Sequence, residues 1–173
     1  MTKKHAAFIS TATAASMAIL ISPLSSSAGA ATVTKRVIKV ETSIASQQKI
    51  THTVAPNGRR VYGFNLLVGR DESGKTPIDV EMLGNVNYLK GNGPFFGFIT
   101  FTAEDGSTLG VQMDGKARVL PNGTDTIVKA QLSVIGGTGK WLKAAGKGTF
   151  TGSRTAALGT DVKSKFVIRL KTP

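Results

Sequence analysis

Residues 134–148 read Val134-Ile135-Gly136-Gly137-Thr138-Gly139-Lys140-Trp141-Leu142-Lys143-Ala144-Ala145-Gly146-Lys147-Gly148. Glycines ahead of a lysine suggest a phosphate cradle, and the neighbouring residues exclude one. A Walker loop requires Gly-x4-Gly-Lys-Ser/Thr. With Gly139-Lys140 in register, its first glycine falls on Val134 and its magnesium-binding hydroxyl falls on Trp141. The dinucleotide fingerprint, set on Gly137 and Gly139, puts its third glycine on Leu142. No alternating βα pattern follows. A turn remains. Gly136 and Gly137 end a strand with a sharp reversal, and Gly148 opens the next one. Between them, Trp141, Leu142 and Ala145 have the spacing of one helical turn facing a core. The stretch predicts a short helical plug near 138–145 over one end of a β structure, with Gly136, Gly137, Gly139 and Trp141 as its signature.

The rest of the chain past residue 30 alternates with period two. Tyr62, Phe64, Leu66 and Val68 alternate with Val61, Gly63, Asn65 and Leu67. Ile78, Val80, Met82, Val86 and Tyr88 alternate with polar neighbours, as do Leu109, Val111, Met113, Ala117 and Val119, and Val162, Ser164, Phe166, Ile168 and Leu170. Such alternation marks strands with one buried face. Asn57-Gly58, Asp105-Gly106 and Asn122-Gly123 are hairpin turns. About eight strands follow, roughly over 34–44, 49–55, 60–70, 77–89, 95–103, 107–119, 125–135 and 147–170, the last span broken near Gly159. The predicted class is all-β, an eight-stranded antiparallel up-and-down barrel that closes to hide its edges. Residues 31–48 read as an N-terminal arm or edge strand, and 49–173 as the barrel domain.

The first thirty residues differ from the rest. Lys3 and Lys4 precede an apolar run through Leu24, then Ser25-Ser26-Ser27-Ala28-Gly29-Ala30. This is the layout of a cleavable export signal cut after Ala30, which predicts a secreted or periplasmic protein. No stretch reaches the length of a membrane-spanning helix. There is no cysteine, so thiol nucleophiles, cysteine-based zinc sites and disulfides are excluded. The formal net charge is +12, and losing Lys3 and Lys4 leaves +10. Such a field favours anionic surfaces, yet Lys35, Lys39, Arg59, Arg60, Lys140, Lys163, Arg169 and the other cations lie scattered along the sequence.

Three segments carry a family resemblance: Val134 through Trp141 followed by Gly146 and Gly148, then Gly106-Ser107-Thr108-Leu109, and Phe96-Gly97-Phe98. Together, over about residues 60–157, they resemble the allene oxide cyclase-like and dirigent-like barrels. The resemblance implies an eight-stranded barrel with a small apolar cavity, a homodimer or homotrimer, and chemistry without metal or organic cofactor: ring closure or stereochemical steering of a reactive intermediate. The chain departs from the plant members. It has no equivalent of the dirigent acidic pair around Ile50-Thr51-His52-Thr53-Val54, and the plant cyclase's pocket residues have no clear counterparts.

The candidate chemistry is sparse. Asp79, Glu81 and Asp114 fall on the polar side of their strands and so face water. If that face lines the lumen instead, Glu81 is the general acid or base, Asn65 and Asn85 orient the substrate, and Arg118 stabilises an anion. A ligand pocket would be lined by Tyr62, Phe64, Met82, Tyr88, Phe96 and Phe98. Past Ala30, His52 is the one histidine, so no metal site is expected. Two functions follow. One is a small-molecule-binding barrel, or a cofactor-independent isomerase or cyclase. The alternative is a non-catalytic cationic barrel that binds anionic cell-surface polymers or lipid headgroups. Specific nucleic-acid recognition is not expected, since no such motif accompanies the charge.

Overall fold

The computed structural model describes residues 33–54, 56, 59–74, 76–155 and 158–173. The expected export signal over 1–30 and the Asn57-Gly58 turn lie outside them. The eight strands are β1 (Thr34–Val54), β2 (Arg60–Asp71), β3 (Ile78–Leu89), β4 (Gly93–Ala103), β5 (Thr108–Val119), β6 (Thr126–Gly137), β7 (Ala145–Arg154) and β8 (Val162–Thr172). Each pairs antiparallel with the next, and β1 pairs with β8 to close the barrel. Closure removes free edges, which a cysteine-free sheet has no disulfide to protect.

Closure depends on β1, which runs 21 residues and serves two partners. Thr34–Ile44 lies along β8, and Ala45–Val54 along β2, with a bulge between Ser46 and Gln48. Residues 34–48 are therefore the closing strand rather than an arm, and the separate strand expected at 49–55 is the second half of β1. The physical cause is alternation hidden in a polar stretch: Val40 and Ile44 are wholly buried. Near the end of β2, Asp71 accepts the Glu41 N–H at 2.8 Å.

Residues directly opposite in an antiparallel ladder share a face, so register fixes what points inward. Met82 and Val86 are buried. Their partners across β2 and β4 are Leu67, Gly63, Ile99 and Phe95. The barrel interior is filled at mid-height by Phe150 stacked on Phe166 at 4.8 Å, with Phe101 edge-on to Phe166 at 5.3 Å.

The opening glycine stretch closes one end. Gly139–Trp141 form a single 3-10 turn. Trp141 and Ala144 are buried, while Leu142 is exposed. The expected inward set of 141, 142 and 145 is corrected to 141 and 144. The cause is that Leu142 leaves helical geometry at ψ 132° and Lys143 turns to φ 58°. The turn interlocks with the β4–β5 hairpin. Thr138 N–H donates to Thr108 O at 2.8 Å, Thr108 N–H donates to Thr138 Oγ1 at 3.0 Å, and Lys140 N–H donates to Ser107 Oγ at 3.1 Å. Lys140 Nζ lies 3.2 Å from Asp105 Oδ2. Gly-Gly-Thr-Gly and Gly-Ser-Thr-Leu are thus two halves of one clasp, and the lysine holds a hairpin rather than a phosphate.

Candidate functional site

The opposite end of the barrel is where space and polarity meet. A cavity of about 40 Å³ is walled by Leu67, Met82, Val86, Phe95, Met113 and Phe150. Its polar groups are Asn65, Tyr88, Arg154 and Thr160. A water needs about 10–15 Å³ of such space, so the cavity as it stands has room for roughly three. A wider depression of about 410 Å³ shares Tyr88, Arg154 and Leu158 with it. Tyr88 and Arg154 therefore form a neck between an outer vestibule and an apolar interior. Met82 and Met113, each with three rotatable bonds, are the adaptable walls.

Inward parity explains both neck residues. Tyr88 continues the Val80, Met82, Val86 series of β3, and Arg154 continues Gly148, Phe150 and Gly152 of β7. Tyr88 is 5 % exposed and Arg154 7 %. Burial pushes the Tyr88 hydroxyl up to about 12, against a smaller downward pull from Arg154. Burial lowers Arg154 and Tyr88 partly offsets this. A guanidinium starts so high that it stays charged at neutral pH. Deeper in, Asn65 is 3 % exposed and its Oδ1 accepts the Ser46 hydroxyl at 2.6 Å. Among the described residues, the lining holds one cation and no Asp, Glu, His or Lys. It can orient a ligand and donate hydrogen bonds to it, and it offers no general base. No three His, Asp or Glu side chains gather as a metal site among the described residues.

The structure brings Asn65, Met82 and Tyr88 together at the cavity and places the other predicted residues outside it. Glu81 lies on the outward side of β3 and Arg118 on that of β5, both exposed. The inverted reading that would make them catalytic is thereby corrected: Val80 and Met82 are buried, so Glu81 between them must face out. Tyr62, Phe64, Phe96 and Phe98 also stand on the outer surface, Phe96 at 57 % and Phe98 at 51 % exposure. The apolar set of β2 was expected inside, but register with β3 turns Asn65 and Leu67 inward instead. With Leu66 and Leu83, which pair with each other and continue to Phe98, these residues form an exterior apolar patch. Arg154 was missed, although the small–large alternation Gly148-Phe150-Gly152-Arg154 marks it as inward-facing.

The outer surface is also divided by charge. β8 presents Lys163, Lys165, Arg169 and Lys171, and the first half of β1 presents Lys35 and Lys39. β5 adds Lys116 and Arg118, β6 adds Lys129, and β7 adds Lys147. All ten are exposed, and among the described residues Lys165 alone of them is in an ion pair, with Glu41 at 2.6 Å. The β2–β3–β4 side carries the apolar patch with Asp79 and Glu81. Ten exposed cations thus lie on β5 to β8 and the first half of β1, with Glu41 and Asp114 among them, while Arg60 and Arg70 stand outward on β2.

No protein-family model matches the chain, and no curated protein matches it. Among solved structures it is similar to the pterocarpan synthase dirigent protein, at TM-score 0.44 and 16 % identity, over 80 % of this chain and 86 % of that one. At that level nothing about chemistry transfers. The closed barrel rests on its own strand pairing.

Proposed function

We propose that the protein is an exported barrel that binds a small molecule with an apolar body and an anionic or acceptor end. One observation carries this reading. A buried arginine and a buried tyrosine form the neck of an apolar cavity whose described lining holds no acidic side chain. The apolar body enters between Met82 and Met113, and the polar end meets Arg154 and Tyr88. With no base in the lining, the chemistry within reach is holding one conformer of a reactive ligand, not proton abstraction. Export is supported by the signal-like composition of residues 3–30. A second copy covering the exposed Phe96–Phe98 patch is the assembly this surface suits, since an apolar patch meets itself across a two-fold axis.

The test uses the neutral dye N-phenyl-1-naphthylamine and 4-phenylbutyrate as its competitor. Gly84 lines the cavity, and a Cβ there meets only the flexible Met113 Cε at 3.4 Å and Asn65 O at 3.9 Å, so Gly84→Val fills the space at tolerable strain. Wild type should enhance dye fluorescence, and Gly84→Val should lose the enhancement. Arg154→Met should weaken displacement by 4-phenylbutyrate about tenfold, about 1.4 kcal/mol. Equal dye binding by wild type and Gly84→Val refutes the lumen site.

A second reading, a cationic barrel that binds anionic polymers, is favoured by the ten exposed cations on the consecutive strands β5 to β8 and β1. It predicts retention on heparin at about 0.15 M salt, where charges are screened beyond about 8 Å. Flow-through of the wild-type protein overturns it.

A further inference from the structure

The cationic half of the barrel is not uniformly studded. β7 turns Ala145, Thr149, Thr151 and Ser153 outward, all short, with Lys147 among them. Beside it β8 raises Lys163, Lys165, Arg169 and Lys171, and on the other flank β6 raises Lys129 and Gln131. Short side chains beside the long row of β8, with Lys129 and Gln131 on the other flank, make a shallow trough along β7, broken by Lys147. It contains two depressions. One, of about 540 Å³, is bounded by Gln131, Lys147, Thr149, Arg169 and Lys171, and the other, of about 290 Å³, by Ile127, Thr151, Lys163, Lys165 and Glu41, the last ion-paired with Lys165. At about 3.4 Å per residue, Lys163 to Lys171 spans about 27 Å.

We propose that the trough along β7 binds a linear acidic polysaccharide. This rests on the cationic-polymer reading and names its site and ligand class. The trough's hydroxyl floor, Thr149, Thr151 and Ser153, suits sugar hydroxyls. The β8 wall of lysine and arginine, with Lys129 on the opposite flank, suits carboxylate or sulfate groups repeated along a chain. Backbone groups of β7 are engaged on both sides by β6 and β8, so recognition falls to these side chains. No aromatic side chain stands outward on β6, β7 or β8, so there is no platform for stacked bases. A hydroxyl-lined floor, with only Ile127 and Ala145 as apolar side chains in the two depressions, also gives acyl chains little to bury.

The experiment titrates heparin, a linear sulfated polysaccharide, into wild type and three variants at about 0.15 M salt. Lys163→Gln/Arg169→Gln/Lys171→Gln removes one wall. Thr149→Trp fills the floor at unchanged charge and on an exposed position. Lys39→Gln/Lys116→Gln/Arg118→Gln removes equal charge from β1 and β5, each two strands from β7. The wall variant and Thr149→Trp should each weaken heparin binding about tenfold or more, and the control about threefold or less. If the two triple variants weaken it equally and Thr149→Trp binds as wild type, the trough is refuted while the cationic face survives. If wild type does not bind heparin, both fail. If oligothymidylate, or vesicles containing phosphatidylglycerol, bind wild type more tightly than heparin does, the polysaccharide assignment falls.

Discussion

Gly139→Ala tests the clasp that closes one end of the barrel. Gly139 sits at φ +54°, and a side chain in the left-handed region costs about 1–2 kcal/mol. The new Cβ would also strike Ser107 Oγ. Ser107 is 4 % exposed, so its hydroxyl can give way only by releasing the Lys140 N–H that it accepts at 3.1 Å. That loss adds about 1 kcal/mol. The expected destabilisation is about 2–3 kcal/mol, which for a domain of this size lowers Tm by about 8–12 °C. Ser107→Gly removes the same acceptor and loosens the backbone, for about 1.5–2 kcal/mol. In the double variant the hydrogen bond is lost only once and no collision remains, so the combined effect should fall about 1 kcal/mol short of the two single effects added together. Urea unfolding followed by the fluorescence of Trp141, the one tryptophan, reads all four proteins. Additive single effects, or a Gly139→Ala protein within about 0.5 kcal/mol of wild type, would show that the two motifs are merely adjacent.

Three further outcomes are expected. At Asp71, burial pushes the carboxyl up, but hydrogen bonds from the Ser73 hydroxyl and from the Glu41 and Ser73 N–H groups outweigh it and hold its pKa below the ordinary value. Its contribution is therefore complete above about pH 4 and lost as pH falls through the folded value. Asp71→Asn should be about 1–2 kcal/mol less stable than wild type at neutral pH and converge with it in acid, and a gap constant with pH contradicts this. Burial pushes the Tyr88 hydroxyl up to about 12, so stability should fall as pH rises from about 10, where an unfolded tyrosine ionises, towards 12. Phenolate absorbance should show the late class, which moves higher still in Arg154→Met because that change removes the cation's downward pull. Phe96→Lys/Phe98→Lys alters two outward side chains exposed by half or more. It should dissociate an oligomer in light-scattering chromatography without lowering Tm, and an unchanged mass excludes the patch as the interface.

The fold was legible because alternation and turn chemistry are local. Register then decided most of what alternation could not. β3, β5 and β8 have apolar residues at one parity and, apart from Leu83, Leu89 and Val167, polar residues or glycine at most positions of the other, so their faces are fixed largely by their own sequence. β2 is apolar at both parities through Leu66-Leu67-Val68, and β4 runs Phe95-Phe96 then Phe98-Ile99. Only pairing with β3 determines that Leu67, Phe95 and Ile99 go in while Leu66, Phe96 and Phe98 go out. Met82 and Tyr88, on the unambiguous β3, line the cavity, while Tyr62, Phe64, Phe96 and Phe98, on the ambiguous strands, stand outside it.

By itself, the sequence determined a closed antiparallel barrel and showed that the Gly136–Gly148 stretch is a turn and not a nucleotide loop, since Val134, Trp141 and Leu142 occupy the positions that a loop needs. The tertiary structure alone decided what that turn grips, because Ser107 and Thr108 lie some thirty residues away and meet it only across the β5–β6 ladder. It alone placed Arg154 beside Tyr88, and it alone brought the cations of β5 to β8 and β1 onto neighbouring strands of the outer surface. Each of these follows from strand register, a long-range quantity that pairs residues distant in sequence and that no local pattern encodes.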